Sequence, residues 1–415
     1  MNIKIPYKNN FQNLSLSDDT SVSVIHPNNV EMNDESECIS QAINEPLGGE
    51  PFAQFIAGVN KILIIINDGT RPTPTEKVID SIYDSIHPRK IYFLIATGTH
   101  RDPTMPELQK MLGKYYKKYK NNIVVHDAEN NDMVKAGITN QGTEVYYNKI
   151  VYDFNRIISV NSVEPHYFAG FTGGRKSFFP GVAHFHSTEM NHKLALDSHS
   201  KILKLQGNPV HEDMQQAVRL LDTKKIFSIQ TVLNREEKIY FTAAGNIEES
   251  FNAAVDRCMD VYSVPMQEKA DIVIAAVTPP MDINLYQSHK AMQHARLALK
   301  PGGIIILVSP CLEGMGNEVF SQVLRSYETK EQLLKYAEKN FKLGTQTAVK
   351  FTELSSQARL WGVTDIEPNI IRSVFMSPFI SLQKAVNEAL IQKPNGNILV
   401  LMNATLTVPI QADSS

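Results

Sequence analysis

Short apolar runs rich in β-branched residues alternate along this chain with longer segments whose apolar residues recur at helical spacing. In residues 61–86, KILIIINDGTRPTPTEKVIDSIYDSI, a buried strand at 61–66 leads through a polar turn into an amphipathic helix that begins near Thr75. Residues 90–112 repeat this order, with a helix from about Thr104. Strands that alternate with helices in this way predict a parallel α/β architecture.

The alternation continues to the end of the chain. Strand patterns occur at 122–128 and 156–166, and residues 225–243 predict a β-hairpin with its turn at Asn234–Glu237. After Pro265 the order restarts, and the predicted elements are a strand–helix–strand unit at 270–310, a strand at 373–377, a helix at 382–393 and a strand at 397–403.

A chain of 415 residues is too long for one ordinary hydrophobic core. The predicted fold class is therefore α/β with two domains, each a mainly parallel sheet flanked by helices. We expect an N-terminal domain over residues 1–265, which carries the candidate catalytic residues, and a C-terminal domain over residues 266–415. The segment 262–268 is the expected linker, and packing of the C-terminal tail back on the N-terminal domain is an alternative to its place in the C-terminal domain.

Polar loops follow directly on the predicted strands. The N-terminal domain has NDGTRPTP, ATGTHRDP and EPHYFAGFTGGRKS in these positions, and TPPMDINLYQSHK follows the first strand of the C-terminal domain. In open parallel sheets, ligands bind at the carboxyl ends of the strands, where such loops converge. We therefore expect one active site in the cleft between the two domains.

Composition excludes several classes of function. A net charge of −3 lacks the concentrated basic surface that nucleic-acid binding needs. The three cysteines are far apart and have no CxxC spacing, which suits a reducing cytoplasm and excludes a cysteine-based metal site. No signal peptide is recognisable, and the longest apolar runs, at 62–66 and 304–308, are far too short to span a membrane. We expect a cytoplasmic protein without nucleic-acid or membrane partners.

The loop GFTGGRKSFFPG, residues 170–181, places one lysine among glycines and aromatic residues. Counted from Gly170, the spacing of the phosphate-binding loop fits Lys176 and Ser177, but Arg175 stands in place of the second glycine. Three interpretations remain: an exposed loop lysine, a phosphate-loop-like nucleotide-binding hydrolase, or a desolvated lysine that reacts with an electrophilic carbonyl group.

Histidines follow two of the strands. His100 and His166 are either ordinary hydrogen-bonded histidines or an acid–base pair, since imidazole titrates near neutral pH. The segment HFHSTEMNH adds His184, His186 and His192, but their spacing differs from the H-E-x-x-H pattern of helical zinc sites. One of these three is a candidate metal ligand, and the others are expected to be polar surface residues.

Two further groups are candidates for binding an anion. Asp68 and Arg71 either form a local turn or recognise a phosphate or carboxylate through the guanidinium. In YQSHK, Tyr286, Gln287 and Lys290 occupy the first turns of a predicted helix, where a cation beside the helix N-terminus favours an anion. A non-catalytic protein that binds a small anion is therefore another interpretation.

Together these motifs resemble the nickel-dependent lactate racemase family. The resemblance covers residues 60–320 and extends by expectation to the whole chain, and the motifs occur here in the family's order: NDGTRPTP, ATGTHR, EPHYFAGFTGGRKSFFPG, His192, GNPVHEDM and YQSHK. Arg175, His184 and His186 are bulkier or more polar than the family pattern leads us to expect.

The resemblance implies a cofactor and a set of residues that hold it. The cofactor is the nickel-pincer nucleotide, nickel pyridinium-3,5-bisthiocarboxylic acid mononucleotide, attached covalently at Lys176, with His192 as the protein ligand to nickel. His100 and His166 match the family's acid–base pair. The remaining expected contacts with cofactor and substrate are Asp68, Gly69, Thr70, Arg71, Tyr286, Gln287 and Lys290.

The resemblance also implies the reaction. The family inverts C2 of a 2-hydroxy acid by removing the C2 hydrogen as hydride and returning it to the opposite face, because that hydrogen is too weakly acidic for imidazole to remove. Each of the two hydroxyl positions needs its own base, hence two histidines. Lactate, malate, a sugar acid and a larger 2-hydroxy acid are all candidate substrates, and cofactor-biosynthesis proteins are the expected partners in maturation.

Overall fold

The computed structural model describes residues 1–327 and 329–412 of the chain. The strands are β1 Asn2–Tyr7, β2 Asn10–Ser15, β3 Val22–Ile25, β4 Lys61–Asn67, β5 Lys90–Ala96, β6 Ile123–Val125, β7 Met133–Ile138, β8 Glu144–Asn148, β9 Ile157–Ser162, β10 Pro165–His166, β11 Gly170–Phe171, β12 Ile226–Leu233, β13 Ile239–Gly245, β14 Ser263–Met266, β15 Ala270–Ala276, β16 Leu299–Val308, β17 Arg359–Val363, β18 Met376–Phe379, β19 Ile398–Leu401 and β20 Val408–Gln411. The α-helices are α1 Glu35–Asn44, α2 Phe52–Phe55, α3 Thr75–Ile86, α4 Met105–Leu112, α5 Lys114–Tyr119, α6 Phe185–Lys193, α7 Pro209–Arg219, α8 Ile247–Tyr262, α9 Leu285–Ala295, α10 Glu318–Ser326, α11 Lys330–Lys339, α12 Thr345–Ser355, α13 Pro368–Arg372 and α14 Leu382–Gln392.

The chain divides into two compact units. The continuous unit comprises residues 29–261, and the split unit comprises residues 1–28 together with 262–415. The sequence-based division, in contrast, assigns the first residues of the chain to the N-terminal domain. The physical reason for the difference is that β3 pairs in parallel with β19 at the edge of the split unit's sheet. The C-terminal strand β20 pairs with β14, within the same unit.

The continuous unit is built on a six-stranded sheet in the order β13-β12-β9-β4-β5-β6. All neighbours are parallel except β12 and β13, which form the predicted antiparallel hairpin. In β4, Ile62 and Ile64 belong to the core on one face, and Leu63 and Ile65 belong to the core on the other. This central strand is apolar throughout because both faces of the sheet are covered.

Local signals explain where two of the flanking helices begin. Helix α3 begins at Thr75, and its buried residues Val78, Ile79 and Ile82 follow helical spacing. Before α4, the Thr104 hydroxyl accepts a hydrogen bond from the backbone N–H of Glu107, whose carboxylate accepts one from the N–H of Thr104. This reciprocal capping satisfies two backbone donors at the start of the helix.

The split unit contains a second six-stranded sheet, in the order β18-β17-β16-β15-β19-β3, with every pair parallel. Ile272 and Ile274 of β15 share a core with Leu382 and Val386 of α14, and the β1–β2 hairpin adds Ile5 to it. The predicted class, α/β with mainly parallel sheets flanked by helices, is confirmed. Within residues 1–327 and 329–412, no helix has both the length and the apolar character needed to cross a membrane.

Candidate active site

Three loops of the continuous unit leave the same edge of its sheet. Strand β4 lies between β9 and β5 and is parallel to both, with Ile66 opposite Val160 and Asn67 opposite Ala96. The carboxyl ends of these strands therefore lie side by side. The loops that follow them contain the predicted residues Asp68 to Arg71, His100, His166 and Lys176.

Asp68 and His100 form a close pair across two of these loops. The Nδ1 atom of His100 lies 2.7 Å from Oδ2 of Asp68, and the Thr70 hydroxyl donates to Oδ1 over 2.7 Å. Burial would raise the pKa of the Asp68 carboxyl, but His100, Thr70 and Arg71 outweigh it and lower that pKa. Asp68 is therefore ionised and holds the imidazole of His100 in a fixed orientation. Gly69 lies in the turn between Asp68 and Thr70.

Arg71 faces a carboxylate that sequence reasoning did not identify. Its Nη1 atom lies 3.9 Å from Oε2 of Glu164, whose side chain is only 3% exposed. The hydroxyl of Thr172 donates to the same oxygen over 2.7 Å. The available signal was an acidic residue two positions before His166, at the end of a buried strand.

His166 is buried just beyond β9 and contacts aromatic residues. Its ring centroid is 5.2 Å from that of Tyr167 and 4.6 Å from that of Phe168. The backbone N–H of Ala169 donates to Nδ1 of His166 over 3.2 Å. This hydrogen bond assigns the proton of the neutral imidazole to Nε2.

Lys176 lies in a tightly packed loop, on a short 3₁₀-helix at Gly174–Ser177. The side chain is partly buried, and its Nζ atom lies 5.8 Å from the centre of the Phe168 ring. The backbone N–H of Lys176 donates to the carbonyl of Gly173, and that of Gly181 donates to the carbonyl of Lys176, each over 3.0 Å. These bonds hold the loop in one conformation.

Arg175, the departure from the phosphate-loop spacing, is buried and bonded to the loop itself. Its Nη2 atom donates to the carbonyls of Ala169 and Phe171 over 2.9 and 3.0 Å, and its guanidinium lies 4.3 Å from the Phe251 ring centre. Burial lowers the pKa of Arg175 to about 9. The neighbouring Ser177 hydroxyl is also buried and donates to Asn161. The backbone carbonyls of this loop thus point at a guanidinium, which disfavours a phosphate-binding role.

His192 approaches the same region from helix α6. Its ring centroid is 5.2 Å from that of Phe168. Burial, reinforced by the charge of Lys176, lowers the pKa of His192 to about 3. The imidazole is therefore neutral at pH 7. A neutral imidazole offers one nitrogen lone pair, as a metal ligand must.

Asp213 and Asn208, which are outside the predicted set, hold helix α6 and the loop that follows His166 in place. Asn191, next to His192, donates to the buried carboxylate of Asp213 over 2.8 Å. Asn208 caps α7 and donates to the carbonyl of Phe168 over 2.8 Å. Both Asn208 and Asp213 belong to the motif GNPVHEDM, for whose members no individual role was predicted.

The other histidines of the HFHSTEMNH segment have different positions. His184 caps α6, because its Nδ1 atom accepts from the backbone N–H of His186 over 3.2 Å. The side chain of His186 is exposed. In the part of the chain that the structure describes, no three His, Cys, Asp or Glu side chains form a group that would hold a metal ion.

The remaining predicted residues lie in the split unit, at the start of α9. Asn284 caps this helix by accepting from the backbone N–H of Gln287 over 3.0 Å. The Nζ atom of Lys290 donates to Oε1 of Gln287 over 2.6 Å, so these two side chains share one face as predicted. Burial raises the pKa of Tyr286. Contact of these three residues with cofactor or substrate stays a prediction.

A cavity of about 480 Å³ lies elsewhere in the continuous unit, between α1 and β13. It is lined by polar and apolar side chains that include Cys38, Tyr240, Thr242 and Arg257. The predicted site residues are not among those lining it, so the chemistry of the strand-end loops is separate from this cavity.

Comparisons with known proteins identify the family. A family model described as lactate racemase N-terminal domain matches residues 7–203, and one described as lactate racemase C-terminal domain matches residues 265–408. The lactate racemase of Lactiplantibacillus plantarum is 31% identical over 370 residues, which is 86% of either chain. That of Thermoanaerobacterium thermosaccharolyticum is 30% identical over 331 residues, covering 77% of this chain and 76% of the relative.

Solved structures agree with these matches. The lactate racemase apoprotein from T. thermosaccharolyticum superposes with a TM-score of 0.87 at 26% identity, covering 99% of this chain and 100% of that one. A Thermotoga maritima protein superposes with a TM-score of 0.74 at 17% identity, covering 92% and 100%, and supports the fold alone. The fold and the matches to lactate racemases identify an isomerase of the racemase class, as predicted. The chain belongs to the lactate racemase family.

Proposed function

We propose that this protein inverts C2 of a 2-hydroxy acid, using His100 and His166 as its acid–base pair. Lactate is the first candidate substrate, because the relatives are named lactate racemases. The observation that carries the proposal is the Asp68–His100 pair, at the strand ends from which the loops of His166 and Lys176 also depart.

The residues present fit the nickel-pincer nucleotide that the family resemblance implies. Lys176 is partly buried beside an aromatic ring and would hold the cofactor covalently, and the neutral His192 would bind its nickel. When bound, this cofactor supplies an acceptor and donor for the C2 hydride. Asp68, Gly69, Thr70 and Arg71, with Tyr286, Gln287 and Lys290 of the split unit, are the proposed further contacts.

The hydrogen bonds of the two histidines give them complementary proton states. In the neutral ring of His100, Nδ1–H donates to Asp68, which leaves the lone pair of Nε2 to accept the proton of the substrate hydroxyl. His166 has its proton on Nε2, because Nδ1 accepts from Ala169. It therefore donates a proton to the oxygen of the planar 2-keto acid on the other face. Two such groups are what inversion requires.

Arg71 is available to bind the carboxylate of the substrate. Within the described residues its guanidinium makes no hydrogen bond, and its ion pair with Glu164 is a loose one at 3.9 Å. A planar guanidinium binds a carboxylate through two parallel hydrogen bonds, which fixes the orientation of a small acid. Lys290 is the proposed second cation for the same group.

The test uses protein produced together with the cofactor-biosynthesis proteins. We expect bound nickel, a mass increment on Lys176 and racemisation of at least one acid from a panel of chiral 2-hydroxy acids. Lys176→Ala should lose the increment, whereas Lys110→Ala, an exposed helix lysine, should keep it. His100→Ala and His166→Ala should keep the increment and lose turnover by about 10²–10⁴-fold.

Isotope labelling distinguishes return of the C2 hydrogen as hydride from its removal as a proton. Return of the same hydride predicts little solvent deuterium at C2 of the inverted product, whereas removal of a proton would introduce the label fully. Tight anion binding by cofactor-loaded protein without inversion would favour a small-anion-binding protein. ATP hydrolysis that depends on Lys176 would favour the phosphate-loop-like hydrolase.

A further inference from the structure

Glu164 is a buried carboxylate whose charge is only partly compensated. Its side chain is 3% exposed, Oε2 accepts from Thr172, and Oε1 is buried without a hydrogen-bond partner among the described residues. An ionised carboxyl group in such surroundings costs several kcal/mol of desolvation unless a cation lies near it. Arg71, 3.9 Å away, is the cation that the described residues place within ion-pair distance.

Arg71 depends on Glu164 in return. Its side chain is 18% exposed and lies on a turn, where only its backbone N–H is bonded, to the carbonyl of Asp68. Asp68 is already engaged by His100 and Thr70. A long side chain without hydrogen bonds has many rotamers, and a buried negative charge on one side selects among them.

We propose that Glu164 is a positioning residue, which holds the guanidinium of Arg71 where it meets the substrate carboxylate. This inference rests on the proposed function, since it assigns Arg71 to that carboxylate. Glu164 itself does not touch the reacting atoms. At 3.9 Å it attracts Arg71 without occupying the guanidinium N–H groups, which stay available for a ligand.

Glu164→Gln is the informative variant, because it removes the charge and preserves the size. The amide oxygen still accepts from Thr172, so the loop keeps that hydrogen bond. Glu164→Asp is the second variant: it keeps the charge but withdraws it from Arg71 by the length of one methylene. If Glu164→Gln does not fold, Glu164→Asp tests the same prediction with a smaller expected effect.

In cofactor-loaded enzyme, we expect Glu164→Gln to raise KM for the 2-hydroxy acid about tenfold and to change kcat less than about threefold. This division is expected when an interaction binds substrate and transition state equally. In an Arg71→Met background, the same change should leave KM unaltered. A fall in kcat with KM unchanged, or an equal effect on KM in both backgrounds, would overturn the proposal.

A second readout needs no cofactor. An arginine-specific dicarbonyl reagent is applied to the unloaded protein, and modification of Arg71 is followed by peptide mass spectrometry. We expect it to proceed at least about threefold faster in Glu164→Gln than in the parent protein, with exposed Arg101 as internal reference. Equal rates at Arg71 would overturn the positioning role. If the parent enzyme racemises no acid, the proposed function fails. The modification rate of Arg71 still tests whether Glu164 positions its guanidinium.

Discussion

Gly173 and Gly174 lie in the loop 170–181 that carries Lys176, where this loop packs closely against the core of the continuous unit. Both have positive φ, +79° and +49°. A Cβ atom at Gly173 would lie 2.6 Å from Cγ2 of Val163, and one at Gly174 would lie 2.8 Å from Cβ of Phe251. These distances are below van der Waals contact, so the glycines permit close packing of backbone and side chains here. They hold Lys176 in a rigid loop.

Substituting Gly174→Ala should therefore destabilise the protein by about 3 kcal/mol, from left-handed backbone strain and overpacking combined. Gly142→Ala is the matched control, because Gly142 also has positive φ, +83°, but has no atom within 4 Å of the added Cβ. It should cost about 1 kcal/mol. At about 2–4 °C per kcal/mol, thermal unfolding separates the two variants. Equal unfolding midpoints for Gly174→Ala and Gly142→Ala would show that close packing at Gly174 does not contribute to stability.

Residue types near strand ends were a useful guide to the site, but pairings between distant residues were not. The pattern indicated Asp68 and His100 separately, since each is a polar residue directly after an apolar run. It did not reveal their 2.7 Å contact. Glu164 was not predicted as a site residue, because only the folded chain places it near Arg71. The reason for an arginine at position 175 is its three backbone carbonyl acceptors, which lie in its own loop and which the residue spacing does not indicate.

Asp213 joins three elements around His192. The hydroxyls of Thr139 and Thr143, at the β7–β8 turn, donate to its carboxylate, as does Asn191 of α6, while Asp213 itself lies on α7. This carboxylate is fully buried. Four hydrogen-bonding side chains from three elements thus fix the helix that carries the proposed nickel ligand.

Replacing Asp213→Asn should destabilise the protein by about 3 kcal/mol, because the amide nitrogen cannot accept and leaves donors of the cluster unpaired. The exposed Asp222→Asn provides the control, since its ion pair with Lys225 lies at the surface and contributes at most about 1 kcal/mol. Thermal unfolding of both variants measures the difference. A change at Asp213 as small as that at Asp222 would show that the cluster does not fix α6.

Element boundaries followed from sequence where local signals were complete. Helices α3 and α4 begin within a residue of the predicted positions, because apolar spacing and the Thr104–Glu107 cap are local. The first strands of the chain were not predicted. Strand β3 depends on β19 as its partner, and that pairing joins opposite ends of the chain. No local pattern encodes such a contact, so the composition of the split unit became visible only in the structure.

At the scale of the whole molecule, five histidines with lowered pKa values make stability depend on pH. Burial lowers the pKa to about 4 for His126 and His294, and to about 3 for His192, His211 and His289. An unfolded histidine has a pKa of about 6.5, so the unfolded chain takes up protons first as the pH falls. The stability that these neutral rings contribute is complete above about pH 6.5 and decreases towards pH 3.

His211 offers a direct test of this pH dependence. It is 5% exposed, its ring stacks on Phe251, and burial lowers its pKa to about 3, with the charges of Arg175 and Arg219 adding to the effect. Between pH 7 and pH 5, such a group should lose about 2 kcal/mol of stability. The unfolding midpoint of His211→Gln should therefore fall less over this range than that of the parent protein, by about 4–8 °C.

His87→Gln is the control for His211→Gln: it removes an exposed imidazole and should leave the pH dependence of stability unchanged. If His211→Gln and the parent protein lose stability equally between pH 7 and pH 5, the buried ring of His211 is not a source of the acid sensitivity.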